Sequence, residues 1–208
     1  MAEYHLHCMK ESGNSYKVAL MLQLADCDWQ PVWVDYFNGA TRQEAFRAEM
    51  NDMGEVPVLE HRGRMVTQSG AILTYLADQT GKFGGRTEDE KLDILRWMLF
   101  DNHKFTSYHA TLRFLFGIQK TGDTPVTEFL RGRVLSAFGL VEKHLTDRPF
   151  LLGDRLTIAD FSLVGYLYYG EETGIDRTQF PHMQSWADRI AALPGWKHPN
   201  DLMPGMPG

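Results

Sequence analysis

The feature that most limits what this chain can fold into is a change of hydrophobic period near residue 80. Before it, short runs of β-branched and aromatic residues alternate with helical stretches; after it, nearly everything carries helical spacing. In the first part YHLHCM is a strand candidate, and SYKVALMLQLAD follows as a helix with Val18, Leu22 and Ala25 on one stripe. PVWVDY reads as a second strand, and TRQEAFRAEMND as a modest helix ended by the turn Asn51-Asp52-Met53-Gly54. VPVLEHRG and RMVTQS are two further strands joined through Arg62-Gly63-Arg64, and SGAILTYLADQT closes the unit as a helix. The order βαβαββα predicts an α/β layer with a mixed sheet, its first strand pair parallel and its last a hairpin.

The stretch QTGKFGGRT holds three glycines and no period, which marks a linker. Three segments are therefore expected: a domain over 1–78, a linker over 79–87 and an all-helical domain over 88–208. In the last, EDEKLDILRWMLFDNHKFTSYHATLRFLFG opens on acidic residues suited to a helix N-terminus and carries a dense aromatic face. VTEFLRGRVLSAFGLVEKHLTD is amphipathic, LTIADFSLVGYLYYGEET is apolar and central, and FPHMQSWADRIAALPGW ends the fold. Thr157 and Asp160 have the spacing of a capping box, with Leu156 and Phe161 as its hydrophobic staple. The tail KHPNDLMPGMPG has too much Pro and Gly for a helix and reads as an irregular lid or a loose end.

Composition removes several function classes. The 208 residues include 21 basic and 27 acidic side chains, a formal net charge of -6, which is no electrostatic footprint for nucleic acid. The first residues, MAEYHLHCMKE, lack a secretion signal, and no run of 18 uncharged apolar residues occurs, so a cytoplasmic protein without a membrane span is expected. Two cysteines, Cys8 and Cys27, are too few for a disulfide framework and form no metal or redox pair. His5 and His7 form an HxH pattern, read here as packed or paired strand histidines rather than as metal ligands.

Taken together, a βαβαββα half ending in Val56-Pro57 and Gln68-Ser69, a glycine-bearing linker, and a helical half with a Thr-x-x-Asp capping box resemble the cytosolic glutathione transferases. The likeness covers essentially the whole chain. It implies a thioredoxin-like N-terminal domain followed by an all-helical domain with an electrophile site, glutathione as co-substrate, no metal, and a homodimer.

The resemblance gives the stretch ESGNSYKV a purpose. A glutathione thiol, with a pKa near about 8.5, is mostly protonated at neutral pH, and a helix N-terminus with a nearby hydroxyl donor favours the thiolate. Ser12 matches the donor of the family's serine-type members, and Asn14 matches the residue used by a second branch. Ser15 suits a helix cap or first turn, and the local sequence does not separate the three. In this fold the Val56-Pro57 bond is cis and turns the Val56 backbone outward to pair with the cysteinyl unit of glutathione. Gly54, just upstream, supports a special backbone there. Ser69 and the helix N–H groups beside it suit the γ-glutamyl carboxylate. Where the family more often has Glu, Gln68 offers the glutamyl ammonium only a neutral acceptor. Arg42 is a candidate for the glycyl carboxylate. On the long helix, Asp101, Phe105 and Tyr108 are candidates for the substrate cleft.

Three functions compete. The first is conjugation of glutathione to small apolar electrophiles, a detoxification chemistry. The second is a glutathione-dependent disulfide reductase or peroxidase, favoured if Asn14 meets the sulfur. The third is a non-catalytic module that binds a ligand or partner on the same fold.

Overall fold

The computed structural model describes residues 2–169 and 172–205. It divides into two compact units, one comprising Met1–Gly84 with the returning segment from Leu193, the other Gly85–Ala192.

The first unit is built on a four-stranded sheet of β1 (Tyr4–Cys8), β2 (Trp29–Trp33), β3 (Val58–His61) and β4 (Arg64–Thr67), in the order β2-β1-β3-β4. β1 and β2 run parallel, and the other two pairs are antiparallel. Tyr4, Leu6 and Cys8 alternate into the core, which fixes the register of β1. β2 starts earlier than PVWVDY suggests and includes Pro31; a residue without an N–H is tolerated because β2 lies at the sheet edge. The hairpin turns at Arg62 and Gly63, both at positive φ (51° and 75°), the backbone of a two-residue turn whose twist matches the strands.

Helix α1 (Gly13–Leu24) packs against α3 (Ser69–Thr80). The segment expected as a second helix is a short 3₁₀ turn over Ala40–Arg42 and then α2 (Glu44–Glu49), separated by Gln43 in an extended conformation. The tail is not loose. It forms the one-turn helix α9 (Pro199–Leu202), which packs on α1, and Pro204 O accepts the Lys10 N–H at 3.2 Å. Leu202 and Met203 are buried there, so α1 is enclosed beyond the single stripe its sequence suggests: Ser15 to Leu22 are all buried. The tail thus groups with the first unit rather than with a helical domain reaching 208; residues 206–208 lie outside the described residues.

The second unit holds α4 (Glu88–Phe100), α5 (Thr106–Leu112), α6 (Pro125–His144), α7 (Ile158–Val164) and α8 (Pro181–Ala191). α4 begins at Thr87, whose hydroxyl accepts the Glu90 N–H at 3.1 Å, with Glu88, Asp89 and Glu90 in the first turn. The long helix expected from residue 88 onward contains π-helical turns at Asp101–Phe105 and Arg113–Ile118. Every residue of α7 is buried. The apolar segment that continues it, expected to be helical as far as residue 173, leaves the α-helix after Val164 and makes a 3₁₀ turn over Leu167–Tyr169; residues 170 and 171 lie outside the described residues. Asp160 ties the unit together: it accepts N–H groups of Leu151 (2.9 Å), Thr157 (2.8 Å) and the Trp186 indole (3.0 Å), and the Thr157 hydroxyl (3.1 Å).

Candidate active site

Strand register defines where chemistry can gather. His7 lies opposite Val58, Val58 opposite Thr67, and Cys8 beside Trp33. The outgoing ends of β1, β2 and β4 and the incoming end of β3 therefore share one end of the sheet. Leaving or entering there are the segments that carry Ser12, Arg42, Val56-Pro57 and Gln68-Ser69.

Ser12 is the N-cap of α1, and its Oγ accepts the Ser15 N–H at 3.1 Å. Ser15 is thus a first-turn residue and Ser12 the cap. A serine hydroxyl that accepts one hydrogen bond still has its own proton to donate. Ser12 is 8% exposed, so this donor is nearly dehydrated, and the first N–H groups of α1 stand beside it without intrahelical partners. Asn14 Oδ1 and Ser15 Oγ are enclosed and make no hydrogen bond among the described residues.

The Val56-Pro57 bond is cis. Outside the ladder, which starts at Val58, the Val56 N–H and C=O make no hydrogen bond among the described residues, and they offer an open edge to an extended peptide. Gly54 has φ +69°, and a Cβ there would stand 2.7 Å from Thr41 O, so the approach of these two backbones requires glycine. Asn51 holds this loop, donating from Nδ2 to Glu55 O (3.0 Å) and accepting the Met53 N–H (3.1 Å).

Gln68 caps α3 in an unusual conformation, φ 67° and ψ 117°. Its amide is not limited to accepting: Nε2 donates to Glu55 Oε2 at 2.9 Å, beside Met53 Sδ at 3.0 Å. Ser69, 9% exposed, opens α3 with a hydroxyl that has no partner among the described residues. Glu55 was missed from the sequence; its only signal was its place directly before Val56. Arg42 is exposed in its 3₁₀ turn and forms no ion pair among the described residues.

The three cleft candidates separate. Phe105 is fully enclosed against Phe100 and Phe138, and Asp101 is buried, accepting the hydroxyls of Thr106 (2.5 Å) and Ser162 (2.7 Å). Both are internal to the helical unit: they lie on the buried side of the π-helical turn, whose Asn102, His103 and Lys104 are exposed. Tyr108 is half-buried, with the Arg133 guanidinium 6.0 Å over its ring.

Comparison with known proteins identifies the fold and the family. The model of the "Glutathione S-transferase, N-terminal domain" matches residues 2–78, and that of the "Glutathione S-transferase, C-terminal domain" matches residues 106–194. A glutathione S-transferase crystal structure from Pseudomonas fluorescens superposes with a TM-score of 0.90 at 31% identity, over 96% of this chain and 100% of that one. The chain belongs to the glutathione S-transferase family. Other relatives carry different names. A maleylacetoacetate isomerase of Rhizobium meliloti is 30% identical, with 93% of this chain and 94% of the relative covered. The disulfide-bond oxidoreductase YfcG of Escherichia coli is 26% identical, with 87% of each covered.

The remaining reactive side chains have structural surroundings. Burial pushes the Cys8 thiol up to about 12, which leaves it protonated and unreactive. His7 lies 3.6 Å from Glu60, and burial holds its pKa below the ordinary histidine value. Among the described residues no group of histidine, cysteine and carboxylate side chains is arranged to hold a metal.

Proposed function

We propose that this protein is a glutathione transferase that binds glutathione at the loop end of the sheet and joins its thiolate to a small apolar electrophile. The observation that carries the reading is the register of β1, β3 and β4, which brings the segments of Ser12, Val56 and Ser69 to one end of three neighbouring strands. Ser69 and the first N–H groups of α3 take the γ-glutamyl carboxylate, the open Val56 backbone pairs with the cysteinyl unit, and Arg42 meets the glycyl carboxylate. Ser12 donates its unspent proton to the sulfur. Lowering the thiol pKa by about 2 units requires roughly 2.7 kcal/mol of preference for the thiolate, within reach of one charge-assisted donor at a helix N-terminus. The thiolate then attacks the electrophilic carbon, and the leaving group departs with the bonding electron pair.

The active species in this reading is a cytoplasmic homodimer. Leu92, Leu95 and Leu99, each more than half exposed, form one apolar stripe on α4 that a second copy would cover.

A second reading, glutathione-dependent disulfide reduction, draws on the enclosed, unpartnered Asn14 Oδ1 and on the name of the Escherichia coli relative. Calorimetric titration with glutathione, followed by initial rates with 1-chloro-2,4-dinitrobenzene, with 2-hydroxyethyl disulfide and with maleylacetoacetate, separates these chemistries. Binding together with chloronitrobenzene turnover is expected. No heat at millimolar glutathione would remove the basis of every enzyme reading.

A further inference from the structure

Glutathione ends in an α-amino acid head that carries a carboxylate and an ammonium on the same carbon. A site that seats the carboxylate on Ser69 must meet the ammonium within a few ångströms. Gln68 is neutral and cannot supply the opposing charge, yet a charge is attached to it. Its Nε2 donates to Glu55 Oε2 at 2.9 Å, which commits the amide nitrogen and leaves Oε1 as an acceptor with no hydrogen bond among the described residues. Glu55 in turn forms no ion pair with any described cation, although the Arg47 guanidinium packs against the neighbouring Gly54.

One further observation points to a ligand there, and the backbone beside it is held in an uncommon conformation. Ser69, nine-tenths buried, has a hydroxyl without a partner among the described residues. Gln68 holds φ 67° without being glycine, a conformation that costs of order 1–3 kcal/mol and persists where the surroundings impose it. The loop that presents Glu55 is fixed from below by buried Asn51, which donates to Glu55 O.

Resting on the glutathione reading above, we propose that Glu55, oriented by Gln68, supplies the negative charge that holds the α-ammonium of glutathione. The carboxylate takes the ammonium from one side, Gln68 Oε1 accepts from the other, and Ser69 with the α3 N-terminus takes the carboxylate. The site thereby selects ligands with a free α-amino acid head. Glu55 is an anchoring residue in this scheme and takes no part in activating the thiol.

The test compares glutathione with glutaryl-cysteinylglycine, which lacks only the amino group, by calorimetry on the full chain. Glu55 is exposed, so Glu55→Gln is expected to fold with an unchanged melting temperature. That variant should weaken glutathione about five-fold to ten-fold, the range for an exposed charge pair, and leave glutaryl-cysteinylglycine unaffected. Glu55→Gln combined with Gln68→Glu should restore glutathione affinity, because the carboxylate then sits on the other member of the pair. Equal losses for both ligands would show a merely structural role and overturn the proposal, as would no loss for either. If the native chain binds no glutathione, the proposed function falls as well; if it binds but Glu55→Gln does not discriminate, only the role of Glu55 falls.

Discussion

One hydroxyl, that of Ser12, has two tasks that pull in compatible directions. Its oxygen stabilises the first turn of α1 through the Ser15 N–H, and in the proposed chemistry the proton left over is the one offered to sulfur. Ser12→Ala should therefore do two things at once. The pKa of bound glutathione should rise by about one to two units, the equivalent of one lost charge-assisted hydrogen bond, while affinity changes little. Loss of the cap should also lower stability by roughly 0.5 to 2 kcal/mol. Thiolate absorbance followed against pH gives the first quantity and denaturant unfolding the second. Asn14→Ala should leave the thiolate titration almost unchanged; a shift there, with none in Ser12→Ala, would transfer the sulfur contact to Asn14 and favour the disulfide chemistry.

At the level of elements, α7 shows how a polar group can organise an apolar interior. Its Asp160 is fully buried, and burial raises its pKa to about 6, even though four hydrogen-bond donors favour the anion. The folded pKa thus lies above the ordinary value of 3.8. For a group shifted this way the stabilising contribution is complete below about pH 4 and is lost as pH rises through about 6. Asp160→Asn removes the titration and places an amide against the Thr157 N–H. The excess stability of the native chain over this variant should shrink by roughly 2 to 3 kcal/mol between pH 4 and pH 7. Urea unfolding of both proteins across that range measures it, and an excess that stays flat or grows with pH would refute the argument.

For the whole molecule, the question is what covers the stripe of Leu92, Leu95 and Leu99. Spaced three and four residues apart, they lie on one face of α4, and leaving them in water forgoes roughly 1.5 to 3 kcal/mol for each side chain that a partner would bury. Sedimentation equilibrium should give about twice the chain mass of 23.8 kDa, and Leu95→Glu with Leu99→Glu should return the monomer. A native chain that sediments at its own mass would contradict the dimer. Among the described residues no helix is long and apolar enough to cross a membrane.

What the sequence determined by itself was whatever depends on neighbours along the chain. The run YHLHCM marked a strand, Arg62-Gly63 marked the hairpin turn, and the spacing of Thr157 and Asp160 marked a helix start. The motifs at Ser12, Val56-Pro57 and Ser69 were legible for the same reason: each is a local arrangement of a cap, a proline or a hydroxyl. Tertiary structure decided the rest. Periodicity says that Phe105 and Asp101 lie on a helix, but the π-helical turn and the placement of Phe138, Thr106 and Ser162 send both inward. Composition made the tail look loose, whereas burial of Leu202 and Met203 beside α1 compensates for the order it must adopt. The contact between Glu55 and Gln68 spans 13 positions of sequence and arises only because β3 and β4 bring their flanking loops to one end of the sheet.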